Sequence, residues 1–188
     1  MSLTEVDICN HALILCGANI ISDLTDDTKE GNLCRTMYPL VRDQFISSHP
    51  WNFAIRRKEL APDSSVGTDV WDWDYAFTIP QDVHRVLDIQ SDDSAWKKED
   101  NKIYANHTPI RVRFIAKIEN PSSYPAYFAE ALANQLAKSI VYALTQSAAA
   151  RDSVIKEALE VVRSARSFDA QEGSVNQVIA NDWLRVRR

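Results

Sequence analysis

Glycine is scarce in this chain. Gly17, Gly31, Gly67 and Gly173 are the only four. None clusters with another before a helix, which excludes the glycine-rich loops that cradle phosphates. No Gly-x-Ser-x-Gly turn is present to expose a serine nucleophile. The four histidines, His11, His49, His84 and His107, are too scattered for a metal-ligand spacing. Cysteine is limited to Cys9, Cys16 and Cys34, an odd number without framework spacing, as a reducing compartment would give. On a helix, Cys9 and Cys16 would stand about 10 Å apart along the axis, too far to share one zinc at bonds of about 2.3 Å. All three fall on apolar faces, so buried free thiols are expected. No apolar run approaches the roughly 20 residues of a membrane helix. The opening Met1-Ser2-Leu3-Thr4-Glu5 lacks a basic segment followed by an apolar one, so neither membrane association nor translocation is expected. Basic charge is not in excess either. The formal net charge is -5 and the pI about 5.4, which argues against coating nucleic acid over a broad face.

What is present is an ordinary globular composition, 45% hydrophobic and 25% charged over 188 residues, enough for one domain with a real core. Its organising stretch is Ser48-His49-Pro50-Trp51-Asn52-Phe53-Ala54. Pro50 biases His49 away from helical dihedrals and donates no backbone hydrogen bond, so the preceding helix should stop there. Trp51 and Phe53 share a face if the chain is then extended, and such aromatics can pin helix to sheet. A ligand stacked between His49 and Trp51 is the functional alternative to this structural corner of Pro50, Trp51 and Phe53.

Before the corner, residues 4–16 predict a helix with Thr4 as N-cap, a stripe of Val6, Cys9, Leu13 and Cys16, and Gly17 as left-handed stop. His11 lies off that stripe. Asp27-Thr28-Lys29-Glu30 has the form of a capping box opening a second helix that runs to about Ser48. Cys34, Tyr38, Val41 and Phe45 should be buried along it, and Pro39 should kink it. Arg35 and Arg42 are assigned to its polar side.

After the corner the period becomes two. Trp71, Trp73, Tyr75 and Phe77 alternate with Asp72, Asp74, Ala76 and Thr78, which predicts a strand with one aromatic face. Val83, Arg85, Leu87 and Ile89 should share a side of a second strand. Trp96, 103–105 and 111–118 supply further strands, giving one small antiparallel sheet of four or so. This segment is acidic. From Asp63 to Asp100 there are ten acidic residues against Arg85, Lys97 and Lys98, a balance of -7, so the rest of the chain is +2. Asp72-x-Asp74 and Asp92-Asp93 could offer oxygen ligands to a divalent cation, although such pairs are usually solvated.

A third helix follows Pro121 and Pro125, with Phe128, Leu132, Leu136, Ile140 and Ala143 as its stripe. A break near Gln146 leads to an antiparallel fourth helix, with Val154, Ala158, Val161, Ala165 and Phe168 facing inward. The predicted class is therefore α+β, mainly helical: a bundle of about four helices (1–49 and 122–171) with a small antiparallel sheet inserted at about 51–119. Residues 1–173 form one domain. Residues 174–188 form a tail carrying Trp183, Leu184, Arg185, Arg187 and Arg188. Apolar and basic without a domain of its own, the tail suits docking onto a partner, the alternative being that it folds back.

The order of features resembles a known family. It runs from Ala12-Leu13-Ile14-Leu15-Cys16-Gly17 through Cys34, Tyr38, Arg42 and Asp43 to His49-Pro50-Trp51-Asn52-Phe53-Ala54-x-x-Arg57-x-x-Leu60. Then come Ile79-Pro80-x-Asp82-x-x-Arg85-Val86-Leu87, Phe128-x-x-Ala131-Leu132-Ala133-x-x-Leu136-Ala137 and Ala165-x-x-x-Asp169. Up to about Gly173 this resembles the tail tubular protein A family of short-tailed bacteriophages, the head-to-tail adaptors that include podovirus tail accessory factors. The resemblance implies a ring of identical subunits, dodecameric in the family, between the portal protein and the tail nozzle protein. DNA passes its lumen without sequence-specific binding. It implies no enzyme activity, no cofactor and no membrane. The protein would be made in a bacterial host cytoplasm, from a phage or a prophage, and isolated subunits could stay monomeric. Trp183, Leu184, Arg185, Arg187 and Arg188 would dock on the portal. Asp72, Asp74, Asp92 and Asp93 would face the channel and repel DNA. Two other classes compete. A small dimeric DNA-associated regulatory or packaging factor fits the helical content but lacks a basic recognition helix. A hydrolase using Asp72, Asp74 or Asp82 lacks an acid and base at working separation.

Overall fold

The computed structural model describes residues 2–64, 72–90 and 95–173. The order is α1 (Glu5–Leu15), α2 (Lys29–Ser48), a 3-10 turn (Asn52–Ala54), β1 (Ile55–Leu60), β2 (Tyr75–Thr78), β3 (Val83–Gln90), β4 (Trp96–Glu99), β5 (Lys102–Ala105), β6 (Ile110–Ala116), a second 3-10 turn (Pro121–Ser123), α3 (Ala126–Thr145) and α4 (Ala148–Gln171). The class is α+β. All sheet pairings are antiparallel, but they form two three-stranded sheets, β1-β6-β3 and β2-β5-β4, rather than one larger sheet.

Local chemistry sets the helix ends. Thr4 and Asp7 form a reciprocal capping box on α1. Gly17 takes φ +68°, and Ala18 N–H to Leu13 O (3.0 Å) with Gly17 N–H to Ile14 O (2.9 Å) completes a Schellman stop. The cap of α2 is Thr28 rather than Asp27, its hydroxyl accepting from Gly31 N–H at 3.0 Å. A side chain at Gly31 would strike the Asp26 carbonyl, so the turn before α2 requires glycine there. The helix runs on through Pro39, whose ring is exposed. Gln146, at φ +53°, closes α3 and allows the short link to α4.

α3 is the central helix, touching α1, α2 and α4. Phe128, Leu132, Leu136 and Ile140 are buried, and Ala129, Ala131, Ala133 and Ala137 let the neighbours approach closely; Ala143 is exposed. The helices do not make a simple four-helix bundle, because their core also takes in Trp51, Ala54 and Ile115 of β6. The other face of β6, with Val112 and Phe114, packs with Phe77, Ile79 and Ile103 in a second core between the two sheets. Sheet β1-β6-β3 thus serves both cores.

Two expected faces are rotated. In β3, register shifts between Val83 and Arg85 and between Val86 and Asp88 break the alternation. Val83, Val86 and Ile89 turn to the inter-sheet core, and Leu87 to the helices. In α4 the buried stripe is Val154, Ala158, Val162, Ala165 and Asp169. Val161 is only half-buried and Phe168 is 56% exposed. In β2, Tyr75 and Phe77 share the inter-sheet side, ring centroids 6.4 Å apart, while Ala76 on the other face is also buried; Trp71 lies outside the described residues.

Candidate functional site

The corner is a three-way joint. Trp51 is fully buried, and Asn52–Ala54 coil into a 3-10 turn instead of extending. Even so, Trp51 and Phe53 converge on one ring, with centroids 5.1 and 4.6 Å from that of Phe128 on α3. Phe45 of α2 completes the cluster at 5.1 Å from Trp51. Edge-to-face and tilted contacts of this kind add to the area buried. Pro50 stays exposed. The His49 ring meets Trp51 edge-on at 4.7 Å. With the indole fully buried, no ring face is left between them for a stacked ligand.

Asp169 of α4 locks the corner from the far end of the chain. Its carboxylate, almost wholly buried, accepts from Asn52 N–H at 2.9 Å and Tyr127 O–H at 3.1 Å, and stands 3.5 Å from His49 Nε2. Asn52 returns its side-chain amide to the Asp169 carbonyl. A buried carboxylate needs such partners.

A second polar centre surrounds Arg42. Expected on the polar side of α2, Arg42 is only 6% exposed. Arg42 pairs with Asp43 at 2.7 Å, reaches Glu5 of α1 at 3.7 Å and Glu119 at 3.8 Å, and lies over Tyr38 at 5.9 Å. The guanidinium is thus held by charges from three segments. His84 of β3 stands 3.8 Å from Asp43, its Nε2 buried without a hydrogen bond.

The chain matches no protein-family model, and no curated protein matches it.

Asp72, Asp74 and Asp82 are exposed. Asp92, Asp93, Trp183, Leu184, Arg185, Arg187 and Arg188 lie outside the described residues. Among the described residues, no group of three or more His, Cys, Asp or Glu could hold a metal, and no helix is long and apolar enough to cross a membrane. The three cysteines are buried and free. Burial pushes Cys16 up to about 11, and the hydrogen bond to Cys34, with burial, raises Cys9, so neither is a ready thiolate.

A surface groove of about 470 Å³ lies on sheet β1-β6-β3. Arg57, Arg113 and Asp88 form one cross-strand row, and Glu59, Arg111 and Gln90 the next. Arg111 pairs with Glu59 at 3.1 Å, and Arg113 stands 3.7 Å from Asp88. Beside it, Arg56, Arg57, Lys58 and Glu59 make four consecutive exposed charges on an edge strand. Such an edge resists indiscriminate strand addition while presenting charge to a chosen neighbour.

The joints carry a pH dependence. Burial, opposed by Asp169 and reinforced by Arg166 and Arg85, holds His49 below the ordinary histidine value of 6.5. Burial likewise lowers His84, against the pull of Asp43. The unfolded chain then binds more protons than the folded one, so stability is full above about 6.5 and is lost as pH falls through the lowered folded values. Melting temperature should drop between about pH 7 and 5.5, ahead of general carboxylate titration. The double variant His49→Gln/His84→Gln should flatten that slope; an unchanged slope would place its origin elsewhere.

Proposed function

We propose that this chain is a structural assembly subunit, a head-to-tail adaptor of a short-tailed bacteriophage or prophage. It would form a ring between portal and tail nozzle through which DNA passes. The observation that carries this reading is where the resembling residues place their side chains. Trp51, Asn52, Phe128 and Asp169, drawn from motifs spread over more than a hundred positions, interlock in one joint. Arg42 and Asp43 interlock in another. Residues of that kind hold a shape and leave little for turnover, which favours a scaffold over an enzyme. The exposed charges of edge strand β1 and the mixed-sign rows of sheet β1-β6-β3 beside it suit lateral contact between copies. In this reading Trp183, Leu184, Arg185, Arg187 and Arg188 dock on the portal, and Asp72, Asp74, Asp92 and Asp93 face the lumen.

Native mass measurement and electron microscopy of the purified chain, alone and with portal rings, test the proposal. A closed ring on the portal is expected. Deleting residues 174–188 should abolish most co-sedimentation with portal rings. Retained binding would remove the tail's assigned role, and a chain that neither oligomerises nor meets a portal would remove the adaptor itself.

A further inference from the structure

α2, α3 and α4 meet along a groove of about 230 Å³. Its floor includes Phe45 and Val162, and its walls bring Gln44 from α2, Gln135 and Lys138 from α3, and Arg166 from α4. No carboxylate lines it. This is unlike the groove on sheet β1-β6-β3, where Glu59 and Asp88 answer the arginines. Among the described residues Lys138 and Arg166 form no ion pair, and neither glutamine amide has a hydrogen-bond partner. Asp169, three positions after Arg166, makes no ion pair with it; its oxygens face Asn52, Tyr127 and His49. Two cations without an ion-pair partner and two free amides thus line one groove from three helices in a chain whose net charge is -5.

We propose that this groove binds a phosphate-type oxyanion. Donors arriving from three helices suit a tetrahedral group, whereas a planar carboxylate is best met by a single guanidinium fork. The Ser48 and Ser139 hydroxyls on the same walls now donate to Phe45 O (2.8 Å) and Gln135 O (3.0 Å), and both can rotate toward an anion. Phosphate could come free or as the backbone of a nucleic acid. The binding is independent of the adaptor reading. The site also has a built-in reporter: Arg166 is one of the charges holding His49 low, so an anion beside Arg166 should relieve His49.

The test is an NMR titration of the full chain with inorganic phosphate, with short duplex DNA, and with acetate and chloride at matched ionic strength. Saturable shifts of the Gln44 and Gln135 side-chain amides with phosphate, none with acetate, and an upward move of the His49 midpoint are expected. Equal shifts with duplex DNA would name backbone phosphate as the source, and shifts with inorganic phosphate alone would name a free one. Lys138→Gln/Arg166→Gln should weaken binding by about tenfold or more, and Lys138→Arg should keep it. Both residues are exposed, so the amide spectrum checks that the fold persists. Non-saturating shifts, an equal response to acetate, or unchanged affinity in the double variant would overturn the assignment.

Discussion

Replacing Trp51 with alanine is expected to lower the unfolding free energy by about 3–5 kcal/mol, the range for losing a fully buried aromatic. The indole touches Phe45, His49 and Phe128 at centroid distances of 5.1, 4.7 and 5.1 Å, so its removal opens a cavity where α2, α3 and the turn into β1 meet. Its Nε1–H also donates to Phe45 O at 3.1 Å, one of the last-turn carbonyls of α2 that the helix itself leaves unpaired. Ser48 donates to the same oxygen at 2.8 Å. Trp51→Phe should therefore cost far less, about 1 kcal/mol, since most packing and one capping bond survive. Urea denaturation followed by circular dichroism separates the two variants. An alanine cost under about 1 kcal/mol, the level of an ordinary surface change, would mean that the corner does not hold the fold together.

What could be read from the sequence was mostly local. Thr4, Gly17, Gln146 and the helical spacing of Phe128, Leu132, Leu136 and Ile140 mark helix ends and faces that depend on residues close in the chain. What escaped depends on distant partners. Arg42 looks like a polar-face residue until Glu5 and Glu119 arrive from other segments to surround it. The run Arg56-Arg57-Lys58-Glu59 has no apolar alternation, and it is a strand only because β6 pairs with it residue for residue. The two irregularities in β3 shift its faces without any glycine or proline to announce them. In α4 a choice between Val161 and Val162 decides the face. The apolar Phe168 drew the stripe one way, whereas the structure buries the carboxylate of Asp169. The same limit applies to the candidate site: Asp169 could be noted at its spacing from Ala165, but only the fold brings it to Asn52 and Tyr127. An aspartate buried on a helix's apolar stripe is a signal worth pursuing, because a carboxylate there needs donors from elsewhere.

Asp169→Ala is the second large expectation. The side chain is 4% exposed, and truncating it leaves Asn52 N–H and the Tyr127 hydroxyl without their acceptor. An orphaned buried donor costs about 1–3 kcal/mol, and these two, being only part-buried, fall toward the lower end. Tyr127 retains Glu172 at 3.2 Å, which moderates its share, so a total of about 1–3 kcal/mol is expected. Asp169→Asn should fall between alanine and wild type, because its amide oxygen can still accept from Asn52 N–H while the negative charge beside His49 is gone. That charge pulls His49 upward, so both variants should lower its titration midpoint, readable by NMR even where stability changes little. The paired measurement distinguishes two roles for Asp169. A stability loss with an unmoved His49 would make it a hydrogen-bond acceptor only, whereas a moved His49 with intact stability would leave α4 anchored by its apolar stripe. The joint described above requires both to change, because one carboxylate fastens the corner's backbone with one oxygen and faces the imidazole with the other.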